Sequence, residues 1–256
     1  MSQPDAVLAV SVVSHGHGPL VQSLLWQLAQ HSHATVARVV LTLNIPEPEP
    51  APPPKGWPFA LHILRNTQPA GFGNNHNRAL QTVSEPFVCI LNPDVALHPP
   101  DPFAVLVHTA AQPGTGCAYP MQVDAQGQVQ DSERALPTPT ALWQRRILGQ
   151  REQRTDWVNG ACMVLPTAVW HQLGGFDNRY FMYCEDVDLC LRLRLAGLSL
   201  VRAPVSVIHT GQRASQRHWR HTLWHVCSLL RLWSSSSYKA IRRNPDAPNT
   251  GTIAPL

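Results

Sequence analysis

The chain has 256 residues, of which 44% are hydrophobic, so it is long and apolar enough for one large α/β domain or two small ones. Its 20 Lys and Arg against 16 Asp and Glu leave a formal net charge of +4, which gives no support to nucleic acid as a partner. No apolar stretch approaches the roughly 18 residues of a membrane-spanning helix. The six cysteines form no Cys-x-x-Cys pair, and we expect reduced core thiols in a cytoplasmic protein.

The first half of the sequence alternates apolar runs of strand length with patterns of helical spacing. These predict, in chain order, strand 6–14, a helix carrying Leu20, Leu24, Leu25 and Leu28, strand 36–43, strand 59–64, helix 74–83 and strand 87–91. Between Pro46 and Pro58 lie seven of the 24 prolines, which predicts a semi-rigid loop inserted into the domain. The alternation indicates an α/β protein with a mostly parallel central sheet flanked by helices.

The second half is less regular. It predicts helix 102–111, strand 117–121, a hairpin turn at 124–127, strand 157–165, helix 185–195, strand 201–209 and an amphipathic helix at 219–233. Residues 185–195 fit both strand alternation and helical spacing, and we favour the helix because Glu185 and Asp186 suit its start and Gly197 its end. For helix 219–233 we favour packing in the core against the sheet; the alternative is peripheral contact with a membrane surface.

Three separated sites carry the side chains of greatest chemical interest. Asn92-Pro93-Asp94 ends the apolar run 87–91, Glu185-Asp186 opens a predicted helix, and His209 ends the last predicted strand. Two acids and an imidazole in such positions are the set that metal-assisted group transfer uses. Because ligands of open α/β sheets bind at the carboxyl ends of the strands, we expect these side chains to share one cleft.

Four stretches make residues 7–215 resemble the inverting glycosyltransferases of family 2 in the GT-A superfamily, particularly the rhamnosyltransferase-like branch. They are residues 10–14, residues 71–77, residues 91–94, and residues 157–163 running on through 174–177 to 181–190. The resemblance implies a Rossmann-like GT-A domain over residues 1–215. We expect a C-terminal amphipathic helical extension at 216–243 and a disordered tail at 244–256, which is rich in Pro and Asn.

The resemblance also implies roles for the acids and the histidine. Asp94 and His209 would hold a divalent cation, Mn²⁺ or Mg²⁺, on the donor diphosphate, and Asn92, which replaces the first acid of the family pattern, would contact the ribose. Asp186 would act as the general base, with Glu185 beside it. The alternatives are that Asn92 to Asp94 is only a strand-ending turn and that the two later acids only cap a helix.

The remaining binding residues are also implied by the resemblance. On the nucleotide side they are Ser14, His15, Asn44, Gly71, Phe72, Asn77 and Arg78. On the acceptor side they are Trp157, Gly160 and Ala161, where Trp157 would stack on a sugar face or, with equal weight, belong to the core.

The sequence therefore predicts an inverting, metal-dependent glycosyltransferase. Its donor would be a nucleotide-diphosphate sugar of dTDP or UDP type, with rhamnose as the sugar, and its acceptor a hydroxyl of a glycan or lipid-linked glycan. We expect a cytoplasmic protein, and peripheral contact with the inner face of the membrane stays open as an alternative. Two other classes stay open: a non-catalytic sugar-nucleotide or glycan-binding relative, supported by Asn92, and a metal-dependent phosphohydrolase.

Overall fold

The structure is a computed structural model that describes residues 6–148, 154–211 and 219–245. Its strands are β1 (Leu8–Ser14), β2 (Val36–Leu43), β3 (Ala60–Arg65), β4 (Phe87–Leu91), β5 (Val95–Ala96), β6 (Thr115–Val123), β7 (Glu133–Arg134), β8 (Trp157–Val158), β9 (Cys162–Pro166) and β10 (Ser199–His209). Its helices are α1 (Gly18–His31), α2 (Phe72–Leu80), α3 (Pro102–Ala110), α4 (Pro139–Leu148), α5 (Thr167–Leu173), α6 (Glu185–Leu195), α7 (Trp219–Ser234) and α8 (Ser236–Arg243).

Eight strands form the central sheet, in the order β3-β2-β1-β4-β9-β6-β10-β5, and β7 and β8 form a small second ladder. The pairings β1–β2, β2–β3, β1–β4 and β6–β10 are parallel, whereas both pairings of β9 and the β5–β10 pairing are antiparallel. Strands β1, β2, β4, β6 and β10 therefore run the same way and end at one side of the sheet, which we call the carboxyl edge. The predicted α/β class with a mostly parallel sheet is confirmed.

The core lies on both faces of the sheet because successive strand residues point to opposite sides. On one face, α1 buries Leu25 on the side of β1, and α3 buries Phe103 against β6, β9 and β10. On the other face, α5 and α6 bury Trp170 and Leu189 with the alternate strand residues. Because both faces of the sheet are covered by helices, polar side chains can lie together at the carboxyl edge.

Several predicted elements agree with the structure and others do not. Strand 36–43 and helix 185–195 have the predicted bounds, and the turn at 124–127 is present. The single strand predicted at 157–165 is wrong, because β8 pairs with β7 whereas β9 pairs with β4 and β6. The chain bends between them where the Asn159 amide exchanges two hydrogen bonds with Gln122. Helices α4 and α5 were not predicted.

The helix at 219–233 exists as α7, but the predicted packing against the sheet is wrong. Its buried residues, Ser228 and Leu232, face the segment before α6 and a small core shared by α6 and α8, so α6 stands between α7 and the sheet. Its opposite side leaves large apolar side chains exposed to solvent. Within the described ranges, no helix combines the length and the apolar character needed to cross a bilayer.

Candidate active site

The end of β4, the start of β9 and the start of α6 meet at the carboxyl edge. The Asn92 amide donates to the Ala161 carbonyl at 2.8 Å, which joins the turn after β4 to the residue before β9. The neighbouring Gly160 amide donates to Oδ2 of Asp186 at 3.2 Å. Two adjacent backbone groups therefore connect the Asn92 turn to Asp186 at the start of α6.

Asp94 and His209 form a close pair at the same edge. The antiparallel pairing of β5 with β10 sets His209 opposite Val95, and the His209 Nε2 atom lies 3.4 Å from Oδ1 of Asp94. Both side chains are mostly buried, at 13% and 15% exposure. The other ring nitrogen of His209, Nδ1, is buried and has no hydrogen-bond partner among the described residues. The pair presents one carboxylate and one imidazole to the cleft.

A metal site built from protein side chains alone is not present in the described part of the chain, where no three His, Cys, Asp or Glu side chains gather. The Asp94–His209 pair nevertheless fits a cation that is shared with a substrate diphosphate. Mg²⁺ is typically held by one or two carboxylates together with phosphate oxygens and water, and imidazole is a suitable ligand for softer divalent ions. Two protein ligands are therefore enough for a cation whose other ligands are phosphate oxygens and water.

Two consecutive residues with left-handed backbone conformation lead into α6. Tyr183 has φ 71° and Cys184 has φ 65°, although neither is glycine. Such residues cost about 1–3 kcal/mol each and persist where the surrounding structure requires them. Here they turn the chain so that α6 opens directly with Glu185 and Asp186 at the carboxyl edge.

The two acids at the start of α6 differ in environment. Glu185 is 5% exposed, and its Oε2 atom has no hydrogen-bond partner within the described residues. Burial, and then the charge of Asp186, raise the pKa of Glu185 well above its ordinary value. Asp186 is partly exposed, with Oδ1 accepting from the Val187 amide and Oδ2 from the Gly160 amide. Burial also raises the pKa of Asp186, against the opposing effect of these hydrogen bonds.

The nucleotide side of the cleft begins where β1 and β2 end. Ser14 is buried, and its hydroxyl donates to the Glu47 carboxylate at 2.8 Å, while the Gly16 amide donates to the other oxygen at 3.2 Å. His15 is exposed between them. Glu47 comes from the proline-rich loop, so this loop folds back and places a carboxylate beside two predicted nucleotide-binding residues.

Asn44 holds the neighbouring loop in place. Its amide oxygen accepts from the Ala70 amide and from Asn66, both at 2.8 Å, and its NH₂ group lies 3.1 Å from Nδ1 of His15. A carbonyl oxygen has two acceptor positions. A base would therefore have to replace one of these bonds, and the predicted contact of Asn44 with the base stays a prediction.

The residues predicted on α2 serve packing as well as the cleft. A side chain at Gly71 would place its Cβ 2.5 Å from the Phe181 carbonyl oxygen, so glycine is required there by the segment before α6. The ring of Phe72 lies beside Gly160, next to Asp186. Asn77 bonds to both backbone groups of Phe176, and Arg78 donates to Asn66 at 2.9 Å.

Asn77 and Arg78 also line a cavity of about 420 Å³ between α2 and the turn after α5. The lining of this cavity includes neither the Asp94–His209 pair nor Asp186. The structure therefore places Phe72 beside Gly160 and Asp186, whereas Asn77 supports the turn that precedes α6.

The acceptor-side residues adjoin a positive charge. Trp157 donates from its indole nitrogen to the Ala135 carbonyl at 2.9 Å, and the guanidinium of Arg134 lies 5.4 Å from the centre of its ring. Gly160 and Ala161 are the two residues that contact Asp186 and Asn92 through their backbone. Trp157 is half-buried, so it contributes to the core with one part and borders the cleft with another.

Comparison with known proteins identifies the family. The model of the glycosyltransferase-like family 2 matches residues 56–234, more than half of the chain, and the protein belongs to this family. The N-acetylglucosaminyl-diphospho-decaprenol L-rhamnosyltransferase of Mycobacterium tuberculosis is 27% identical over 233 residues, covering 79% of this chain and 76% of the relative. Rhamnosyltransferase WbbL of Escherichia coli K12 is 28% identical over 246 residues, covering 87% and 90%. The rhamnosyltransferase-like resemblance is confirmed.

Solved structures agree on the fold. The mannosyltransferase PcManGT of Pyrobaculum calidifontis, in complex with GDP-Man and Mn²⁺, superposes with a TM-score of 0.62 at 16% identity, covering 96% of this chain and 76% of that one. GalNAc-T7 with UDP, GalNAc and Mn²⁺ gives a TM-score of 0.64 at 17% identity, covering 97% and 52%. At these identities the likeness shows the fold alone, and the predicted GT-A fold is confirmed.

Two residues at the cleft were missed from the sequence. Glu47 lies in a proline-rich segment that predicted only a projecting loop, and no pattern indicated that the loop returns to β1. Arg134 lies in a two-residue strand too short to give any periodicity. An acid or a cation at such positions becomes visible only when the tertiary contacts are known.

Proposed function

We propose that the protein is an inverting, metal-dependent glycosyltransferase that moves a sugar from a nucleotide-diphosphate donor to a hydroxyl of a glycan or lipid-linked glycan. The observation that carries the proposal is the arrangement at the carboxyl edge in a chain of this family: the Asp94–His209 pair lies at the end of the turn after β4, and the same turn is connected through Ala161 and Gly160 to Asp186. A pair suited to a diphosphate-bound cation beside a poised carboxylate is what displacement at an anomeric carbon requires.

In this proposal Asp186 is the general base. Its two oxygens are oriented by the amides of Val187 and Gly160, and each retains acceptor capacity for an acceptor hydroxyl. The hydroxyl oxygen attacks the anomeric carbon, its proton passes to Asp186, and the bond between that carbon and the diphosphate oxygen breaks on the opposite face. A carboxylate whose pKa is raised by burial is a stronger base than an exposed one.

Glu185 supports this site without contacting the acceptor. Because it is buried and its pKa is raised well above the ordinary value, its neutral form is favoured, which reduces the negative charge beside Asp186. We propose for Asp94 and His209 the role of holding Mn²⁺ or Mg²⁺. The cation would neutralise the charge that develops on the leaving diphosphate.

The donor is proposed to be a dTDP or UDP sugar with rhamnose as the transferred group. The support is the similarity to two rhamnosyltransferases and the polar pocket made by Ser14, His15 and Glu47 at the end of β1. Asn92, at the end of β4, would reach the ribose. Gly71, Phe72, Asn77 and Arg78 would form or support the neighbouring wall.

The acceptor is proposed to be a lipid-linked glycan, handled at the inner face of the membrane. The Mycobacterium tuberculosis relative is named for a diphospho-decaprenol acceptor. Helix α7 exposes Trp219, Leu223, Val226 and Leu230, which fall on one stripe, with basic residues on the same helix. Such a helix suits the surface of an anionic bilayer.

A cytoplasmic location is part of the same proposal. Its support is that all six cysteines, each within the described residues, are free thiols. We also propose the domain limits stated from the sequence, with the transferase domain at 1–215 and the helical extension at 216–243. The tail at 244–256 lies, apart from its first two residues, outside the described residues.

The decisive experiment measures nucleoside-diphosphate release from a panel of dTDP, UDP and GDP sugars with Mn²⁺ or Mg²⁺, with and without an N-acetylglucosamine-diphospho-lipid acceptor. We expect release that depends on the acceptor and on the cation, and a product of inverted anomeric configuration by NMR. Release at the same rate without acceptor would indicate a phosphohydrolase. Donor binding without any release would indicate a non-catalytic relative.

A further inference from the structure

A group of cationic and aromatic side chains borders the candidate base on its acceptor side. It consists of Arg134, Trp157, Tyr183, His221 and His225, and we call it the cationic aromatic cluster. The Arg134 guanidinium lies over the Trp157 ring, and the Tyr183 hydroxyl lies 2.9 Å from Nδ1 of His221. The rings of Tyr183 and His225 are 5.2 Å apart. These side chains come from three separate segments of the chain. The segments are the β7–β8 ladder, the turn that leads into α6, and helix α7.

The cluster lies close to Asp186. Burial raises the pKa of Asp186, and the charge of Arg134 is one of the influences that lower it again. Burial, and then the same charge, lower the pKa of His225. Trp157, whose ring Arg134 covers, packs against the same buried cluster as Tyr183. Tyr183 is three residues before Asp186 in the turn with left-handed backbone. A molecule that presents a hydroxyl to Asp186 would therefore pass the cluster.

The cluster is distinct from the residues assigned to the donor. Those residues lie on β1, β2, β4 and α2, and the Asp94–His209 pair lies beside β5 and on β10. The cluster contains Trp157, which the sequence placed on the acceptor side, and it adds Arg134 and two histidines that no motif indicated. An arginine and two imidazoles beside the base suit a second, anionic substrate.

Helix α7 has two faces with different partners. His221 and His225 are four residues apart and share the side of the helix that carries the buried Ser228 and Leu232. The exposed stripe of Trp219, Leu223, Val226 and Leu230 lies on the other side. If this stripe rests on a bilayer, the two histidines lie on the side of α7 that is turned away from the bilayer and toward Tyr183.

We propose that the cationic aromatic cluster binds the diphosphate of a lipid-linked acceptor sugar. Arg134 would grip the phosphate oxygens through its planar fork, His221 and His225 would donate from their rings, and Trp157 with Tyr183 would pack against the first sugar. The sugar hydroxyl then points to Asp186 while the lipid leaves toward the membrane. This inference rests on the proposed glycosyltransferase function and specifies how its acceptor is chosen.

The test compares two acceptors that carry the same sugar, one on a farnesyl diphosphate and one on a neutral octyl aglycone. The parent protein should favour the diphosphate acceptor through a lower KM. Arg134→Gln should raise the KM for that acceptor roughly 10- to 100-fold, the order of one lost charge-assisted hydrogen bond. The KM for the donor and the transfer to the octyl glycoside should stay within about twofold, since neither involves this contact.

Matched variants separate a specific contact from general charge. Arg243→Gln removes the same charge from the exposed last turn of α8 and should leave the acceptor KM unchanged. Arg134→Lys keeps the charge but not the fork and should recover part of the effect. His225→Gln gives a second measure of the site should Arg134→Gln prove unstable in thermal unfolding. The affinities for farnesyl diphosphate and for farnesol, measured by tryptophan fluorescence in the absence of donor, test the site independently of turnover.

Each outcome decides between the alternatives. A rise in the donor KM, with the acceptor KM unchanged, would assign Arg134 to the donor and overturn the inference. Equal use of both acceptors by the parent protein would also overturn it while leaving the proposed function intact. Transfer to neither acceptor, with any donor, would instead contradict the proposed function. Loss of farnesyl diphosphate binding in Arg134→Gln, with binding retained in Arg243→Gln, supports the cluster.

Discussion

The region from β1 to β4 and the region from β5 to α8 differ in the regularity of their structure. The first is a regular parallel layer in which strands and helices alternate, and its polar residues at the carboxyl edge are tied to one another, as Asn44 is to Asn66. The second region is irregular: it contains the antiparallel strand β9, the bend after β8, and the two residues with left-handed backbone conformation before α6. In the function that we propose, the regular region forms the nucleotide side of the site, and the irregular region positions Asp186 and His209.

The largest expected effect tests whether the irregular region carries the chemistry. Asp186→Asn keeps the shape but cannot accept the acceptor proton, so transfer should fall by roughly 10²-fold or more while donor binding stays nearly intact. Steady-state kinetics and donor titration measure the two quantities. Asp124→Asn, in the hairpin turn between β6 and β7, is the control and should transfer normally. Full activity of Asp186→Asn would remove the base assignment.

The second prediction concerns the contact between the two regions. Gly71→Ala would push a Cβ to 2.5 Å from the Phe181 carbonyl oxygen, a backbone atom that cannot move aside alone. We expect a loss of about 1–3 kcal/mol in the free energy of unfolding, measured by urea denaturation. At Gly18 the nearest atom would be 3.7 Å away, so Gly18→Ala is the matched control. Equal stability of both variants would show that the regions are not fitted so closely.

The third prediction separates the Asp94–His209 pair from the rest of the carboxyl edge. His209→Gln removes an imidazole that lies 3.4 Å from Asp94, so the Mn²⁺ concentration for half-maximal transfer should rise roughly tenfold, the order of one lost charged interaction. Titration of activity with Mn²⁺ measures it. His108→Gln, on the exposed side of α3, should leave the titration unchanged. An unchanged titration for His209→Gln would exclude this residue as a ligand.

The smallest effect distinguishes the two neighbouring acids. Glu185→Gln should lower transfer by less than about tenfold, because a buried protonated acid is replaced by a neutral side chain of the same shape. Burial, and then the charge of Asp186, raise the pKa of Glu185 above its usual 4.5. The unfolded chain therefore releases this proton above about pH 4.5 while the folded chain keeps it, and folding loses stability as the pH rises toward the folded pKa.

Thermal unfolding at several pH values measures this dependence of stability on pH. The Tm of Glu185→Gln should match that of the parent near pH 4 and exceed it by a growing margin as the pH rises above 4.5. The acidic limb of the pH–rate profile, set by the raised pKa of Asp186, should lie above pH 3.8 and should not move in the variant. A Tm difference that shrinks with rising pH would mean that Glu185 is ionised in the folded protein.

The sequence predicted the regular region well because local patterns decide it. Strand 36–43 is buried on both faces and its Val-rich run has no competing interpretation. The same reasoning failed at 157–165, since an apolar run does not reveal that the Asn159 amide pairs with Gln122 and divides it into two strands. The family motifs led to Asp94, Asp186 and His209, but Glu47 and Arg134 join the cleft only through tertiary contacts.

Helix α8 has a consequence for anyone who shortens this protein. The Ser237 hydroxyl donates at 2.8 Å to the buried carboxylate of Asp188, and Tyr238 and Ile241 cover Val187 in the helix that begins with the base. A version trimmed after α7 would uncover that apolar surface next to Asp186 and leave the Asp188 carboxylate without one of its donors. Low yield and aggregation, rather than altered kinetics, would be the first effects of this truncation. Purification tags should therefore be attached at the N-terminus, away from α8.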